Sequence, residues 1–187
     1  MSSQSIQLDT SWKGFNAIRN LVIFGDSYSA VGYASNLKEL NPSRERPLGV
    51  DFPGITYNEA EKPNWVGHLI TSFIQGRNDI LVYDYAKGGA TTAGIVQQAT
   101  HAFLPHVGQR PEWAAWNPSD TLFITWVGIN DCAFLRNVQG VQRPIERVFD
   151  VQDELCAQGA RCFLFIDVPP IERSPAGKLS SQLLSLV

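Results

Sequence analysis

Four short apolar runs, set among segments of helical period, constrain this 187-residue chain more than any other feature. They are Leu21–Phe24, Ile80–Ala86, Leu122–Val127 and Arg161–Val168. Each is too short for a helix, rich in β-branched or aromatic residues, and bounded by Gly, Asp or Pro, so each reads as a buried strand. Between them the apolar period lengthens. Pro63-Asn64 opens a helix with Trp65, Val66, Leu69, Ile70, Phe73 and Ile74 on one face and a stop at Gly76. Thr91 or Thr92 caps a second, bearing Ile95, Val96, Ala99 and Phe103. Pro144 to Gln158 reads as a third, with Ile145, Val148, Phe149 and Leu155 inward and Gly159 as its stop. Strands alternating with helices imply a parallel sheet covered on both faces, a three-layer α/β/α sandwich in a single domain over 1–187. The turn-rich stretch from Tyr33 to Tyr57 is longer than a usual connection, and such loops often carry function.

The polar clusters at the strand ends point to chemistry. Gly25-Asp26-Ser27-Tyr28 follows the first strand, Gly88-Gly89-Ala90-Thr91-Thr92 the second, and Gly128-Ile129-Asn130-Asp131 the third. Each alone reads as a turn. Together they bring a serine hydroxyl, a glycine N–H and an asparagine amide to the edge where open α/β sheets gather their active-site groups. That set is a nucleophile with two oxyanion donors.

These blocks resemble the GDSL, or SGNH, hydrolase superfamily, and their wording is similar to its fungal carbohydrate acetylesterase branch and to plant-type lipases. The resemblance implies a flavodoxin-like sandwich and a serine esterase of small acyl, above all acetyl, esters, with acetylated carbohydrate as a substrate class. It makes Ser27 the nucleophile. The Ser27 N–H, the Gly89 N–H and the Asn130 amide become the oxyanion donors, and Asp26, Gly128 and Asp131 support them. Tyr28 and Trp65 are candidates to stack on a sugar or line an acyl pocket. No cofactor or metal is implied.

The family places its triad carboxylate and base near the C-terminus as Asp-x-x-His, and no aspartate here has a histidine three residues on. His68, His101 and His106 all precede the Gly-x-Asn-Asp block and read as solvated or capping residues. The chain ends in the apolar stretch Leu183–Val187. The expectation is a hydrolase domain incomplete at its C-terminus, lacking its last strand and its catalytic Asp/His segment. A non-catalytic ligand-binding relative and a lipase-type acylhydrolase are the alternatives.

Composition narrows the remaining classes. A net charge of −3 gives no basic patch for nucleic acid. No window is apolar enough to span a membrane. Residues 1–9 lack a basic start and an apolar core, so no signal peptide is visible and a cytoplasmic location is expected, although members of the resembled branch are often secreted. Cys132, Cys156 and Cys162 form an odd set; Cys156 and Cys162 read as small buried apolar residues in preference to a bridge.

Overall fold

The computed structural model of the chain describes residues 12–33, 41–73, 79–134 and 138–175. Four strands form one parallel sheet in the order β2-β1-β3-β4. They are β1 (Asn20–Gly25), β2 (Leu81–Asp84), β3 (Thr121–Trp126) and β4 (Cys162–Phe165). β1 is buried along its whole length, as a central strand covered on both faces must be. Its register sets Ile23 opposite Asp84 and Ile124, and Gly25 opposite Trp126.

The helices are α1 (Trp65–His68), α2 (Thr92–Val96) and α3 (Gln142–Ala157). Right-handed crossovers in this strand order put α1 on one face and α2 and α3 together on the other. The packing agrees. Trp65 meets Trp126 on one face, with ring centroids 6.2 Å apart. Phe103 packs edge-on against Phe24 and Phe123 on the other, and α2 lies against α3. The loop before α1 covers the outer edge of β2, where the Val82 N–H donates to the Pro47 carbonyl at 2.8 Å.

Three local expectations need correction. Both α1 and α2 widen into π-helical turns, Leu69–Phe73 and Gln97–Phe103. The wider turn rotates later residues off a 3.6-residue face, so Phe73 stands 80% exposed although Val66 is buried. Thr91 is the N-cap of α2, as expected, but makes no side-chain bond there, and the Thr92 N–H is met by Asp131 from another loop. In α3 it is Val151 and Leu155 that are buried, whereas Ile145 and Phe149 are exposed. The reason is that β4 is the edge of the described sheet. Leu164 and Phe165 on β4 are exposed as well, and Phe149 meets only the Phe165 ring, at 5.7 Å, among the aromatic contacts described. None of the three cysteines is in a disulfide; Cys162 is buried, its thiol donating to the Pro118 carbonyl, and Cys156 is half-buried. The expected helix end at Gly76 and the stretch Leu183–Val187 lie outside the described residues.

Candidate active site

Strand order 2-1-3 reverses the direction of chain progress at β1/β3, the place where open α/β sheets bind their ligands. Ser27 lies just past the C-terminal end of β1, and Gly128 to Asn130 just past that of β3, on strands about 4.8 Å apart. Gly25 is required at the strand end. A Cβ there would come within 2.7 Å of the Trp126 carbonyl.

The Ser27 turn is held by its neighbours. Asp26 is fully buried; its carboxylate accepts the Tyr28 N–H at 3.0 Å, and its carbonyl accepts the Ser29 and Ala30 N–H groups at 3.1 Å each. Burial raises the Asp26 pKa above its ordinary value, against the pull of the Tyr28 N–H, and the nearby Asp131 charge adds to the rise. On the far side, Asn64 caps α1 by accepting the Val66 N–H and reaches back to donate to the Ser29 and Ala30 carbonyls at 2.7 and 3.0 Å. The Trp65 indole donates to Ser29 Oγ at 3.1 Å. Ser27 itself is half-buried and Tyr28 exposed, with the Tyr28 ring 5.2 Å from that of Trp126. Tyr28, Trp126 and Trp65 thus form one aromatic surface beside the serine.

A second anchor comes from the opposite face. β2 stops at Asp84, short of Gly25, and the Gln98 side chain takes over there. It accepts the Gly25 N–H at 2.9 Å and donates to the Gly25 carbonyl at 2.8 Å.

The loops carrying Gly89 and Asn130 are tied together. Asn130 Nδ2 donates to the Ala90 carbonyl at 2.9 Å, which uses one of the two amide hydrogens and leaves the other. Asp131, buried, accepts the Thr92 N–H at 2.9 Å and the Thr92 hydroxyl at 2.8 Å. Arg147 from α3 donates to the same hydroxyl at 3.3 Å. Gly89 has φ +75°, a conformation that favours glycine, and a side chain there would meet open space. Its neighbour Gly88 lies tight under the Tyr57 ring.

His68, His101 and His106 are all exposed. His101 and His106 line a separate cleft beside Gly89, and neither Ser27 nor Asn130 lines it. Among the described residues no group of three or more His, Cys, Asp or Glu side chains could hold a metal ion, and no helix is long and apolar enough to cross a membrane.

Against models of known protein families the chain finds no match. Among curated proteins it is 34% identical over 177 residues to a protein named acetylesterase from Thermothelomyces thermophilus. The matched region covers 86% of this chain and 57% of that protein, so the chain spans just over half the length of its relative.

Sequence reasoning named the three loops, with Asp26 and Asp131 as supports, but missed the Gln98 clamp and the Thr92 partner of Asp131. The Gln98 clamp joins residues 73 apart, and the Asp131–Thr92 link residues 39 apart. No local pattern signals either. The only available hint was a glutamine on an otherwise apolar helix face.

Proposed function

We propose that the chain carries the nucleophile and oxyanion site of an SGNH-type serine esterase acting on small acyl esters, acetyl esters first. The observation that carries this reading is the double cross-link from Asn130 and Asp131 to Ala90 and Thr92, which ties two candidate donor loops to each other at the same C-terminal sheet edge that Ser27 follows. Likeness to a protein named acetylesterase supports the acyl group.

In this scheme Ser27 Oγ attacks the ester carbonyl carbon. A C–O bond forms, and the carbonyl π pair moves onto oxygen. The Gly89 N–H, the Ser27 N–H and the remaining Asn130 hydrogen stabilise that oxyanion. Collapse expels the alcohol, and water then releases the acyl group from the serine. The Ser27 proton must pass to a base, and none of the 187 residues is assigned that role, because no aspartate is followed by histidine at the family's spacing. The aromatic surface of Tyr28, Trp65 and Trp126 suits the face of a sugar, which makes an acetylated carbohydrate the favoured substrate. A non-catalytic binder is the second reading, favoured by the exposure of all three histidines.

Methylboronic acid tests the nucleophile without requiring a base of full strength. A B–O bond forms to Ser27 Oγ, the hydroxyl proton leaves to solvent, and the tetrahedral anion occupies the donor site. Binding should vanish in Ser27→Ala and weaken about tenfold in Asn130→Ala. Binding that survives Ser27→Ala unchanged would overturn the assignment.

A further inference from the structure

The turn-rich stretch that ends at Tyr57 plays no part in the scheme above, yet it reaches the loop that carries the Gly89 donor. Tyr57 is 66% exposed, so burial in the core does not explain its position. Both of its neighbours are pinned to the chain entering α1. The Thr56 hydroxyl donates to the Lys62 carbonyl at 2.8 Å, and Asn58 Nδ2 to the Pro63 carbonyl at 2.7 Å. Ile55 is fixed as well, its N–H donating to the Val31 carbonyl at 2.8 Å. The Tyr57 phenol is thereby laid on the α-carbon of Gly88, so closely that a Cβ there would overlap its hydroxyl and ring.

Gly88 and Gly89 are the central pair of a β-turn, closed by the Ala90 N–H on the Lys87 carbonyl at 3.1 Å. A positive φ at Gly89, +75°, and none at Gly88 marks the turn as type II. Type I differs by a rotation of about 150° in the middle peptide, and the closing hydrogen bond suits either form. That middle peptide carries the Gly89 N–H. Two glycines leave both forms open to it. The ends of the turn are held elsewhere: the Lys87 N–H donates to the Gly25 carbonyl at 3.1 Å, and the Ala90 carbonyl accepts Asn130 Nδ2 at 2.9 Å. Neither bond touches the middle peptide. The Tyr57 ring, on the Gly88 α-carbon, is the group packed beside it.

We propose that Tyr57 is a positioning residue that keeps the Gly88–Gly89 peptide in its type II form and so aims the Gly89 N–H at the oxyanion. A flip swings the Gly88 carbonyl from one side of the turn to the other, and a ring seated on Gly88 bars that sweep. The use made of the Gly89 N–H rests on the esterase reading; the state of the turn does not.

Nitrogen-15 relaxation dispersion at Gly89, with methylboronic acid titration beside it, tests the proposal. The parent chain should show one Gly89 state. Tyr57→Ala should show exchange between two, and should bind the boronate about threefold more weakly, the loss expected when roughly a third of molecules keep the competent turn. Tyr57→Phe retains the ring and should match the parent in both readouts. Gly88→Ala displaces the ring and should behave as Tyr57→Ala does, the double variant being no worse than either alone. An unchanged single Gly89 state in Tyr57→Ala, boronate binding that Tyr57→Ala leaves intact while Ser27→Ala abolishes it, a Tyr57→Phe as weak as alanine, or additive losses in the double variant would each overturn the proposal. Boronate binding that survives Ser27→Ala overturns the esterase reading instead, and exchange at Gly89 then still decides whether Tyr57 holds the turn. Because Tyr57 is exposed, alanine there leaves the core intact.

Discussion

Replacing Asp131 with alanine should destabilise the fold by about 3–4 kcal/mol, a large effect for a residue on a loop. Its carboxylate accepts the Thr92 N–H at 2.9 Å and the Thr92 hydroxyl at 2.8 Å, with both residues buried. Hydrogen bonds to a charged group contribute about 1.5–3 kcal/mol each, and alanine leaves the Thr92 N–H buried without an acceptor. A small gain offsets part of this, because removing the Asp131 charge eases the burden on Asp26, whose pKa burial and that charge raise. Asparagine keeps an oxygen at the Oδ1 position, where it still meets the Thr92 hydroxyl, so its cost should be nearer 1–2 kcal/mol. Urea unfolding measures both. With a slope of about 2 kcal/mol per molar, Asp131→Ala should move the midpoint down by roughly 1.5–2 M. A double-mutant cycle with Thr92→Val should return a coupling of about 1 kcal/mol or more. If Asp131→Ala stays within about 0.5 kcal/mol of the parent, the cross-link is not holding these loops and the carrying observation of the functional reading fails.

Asp84 gives a pH signature. Burial raises its pKa well above 3.8, so the folded state holds a proton that the unfolded chain releases, and stability falls as pH rises from that ordinary value toward the shifted one. Asp84→Asn should flatten the change in urea midpoint between about pH 5 and pH 8 and raise stability at the upper end; an unaltered slope would contradict it. Along β4, the exposed Leu164 and Phe165 beside Phe149 should make the chain self-associate with rising concentration, and Phe165→Lys should reverse this in light scattering. A monodisperse monomer at high concentration would refute the patch as an associating surface. Finally, 4-nitrophenyl acetate turnover by the 187-residue chain should be slow and nearly unchanged in Ser27→Ala, since losing a triad histidine costs about six orders of magnitude in a well-studied protease. Rapid turnover that depends on Ser27 would instead make one of the exposed histidines the base.

The strands were legible because buried parallel strands are written as continuous apolar runs. Leu21–Phe24 and Leu122–Val127 lie within one or two residues of β1 and β3. The sense of the sheet followed from the helices between them. Helix faces were less legible. Phe73, Ile145 and Phe149 all fit an inward stripe, yet a π-helical widening turns the first outward and the sheet edge leaves the other two uncovered. At the site, residue type announced Ser27, Gly89 and Asn130. Asp131 was legible as a support and Asn64 as a helix start, but their distant partners, and the Gln98 clamp altogether, were not, because neighbours in sequence say nothing about partners in space.

The Gln98 clamp also fixes where this chain can change length. Its amide reads the Gly25 peptide as another peptide would, one donor to one acceptor in each direction. Glutamate lacks the donor and lysine the acceptor, so neither can stand in. Because Thr92 is pinned by Asp131 at one end and Gln98 by Gly25 at the other, the intervening turns form a ruler. One residue added between them would rotate the amide about 100° away from β1 and release the turn that bears Ser27. Insertions in natural or engineered variants should therefore fall after Phe103, in the Pro105–Pro118 connection, and be absent from 92–98.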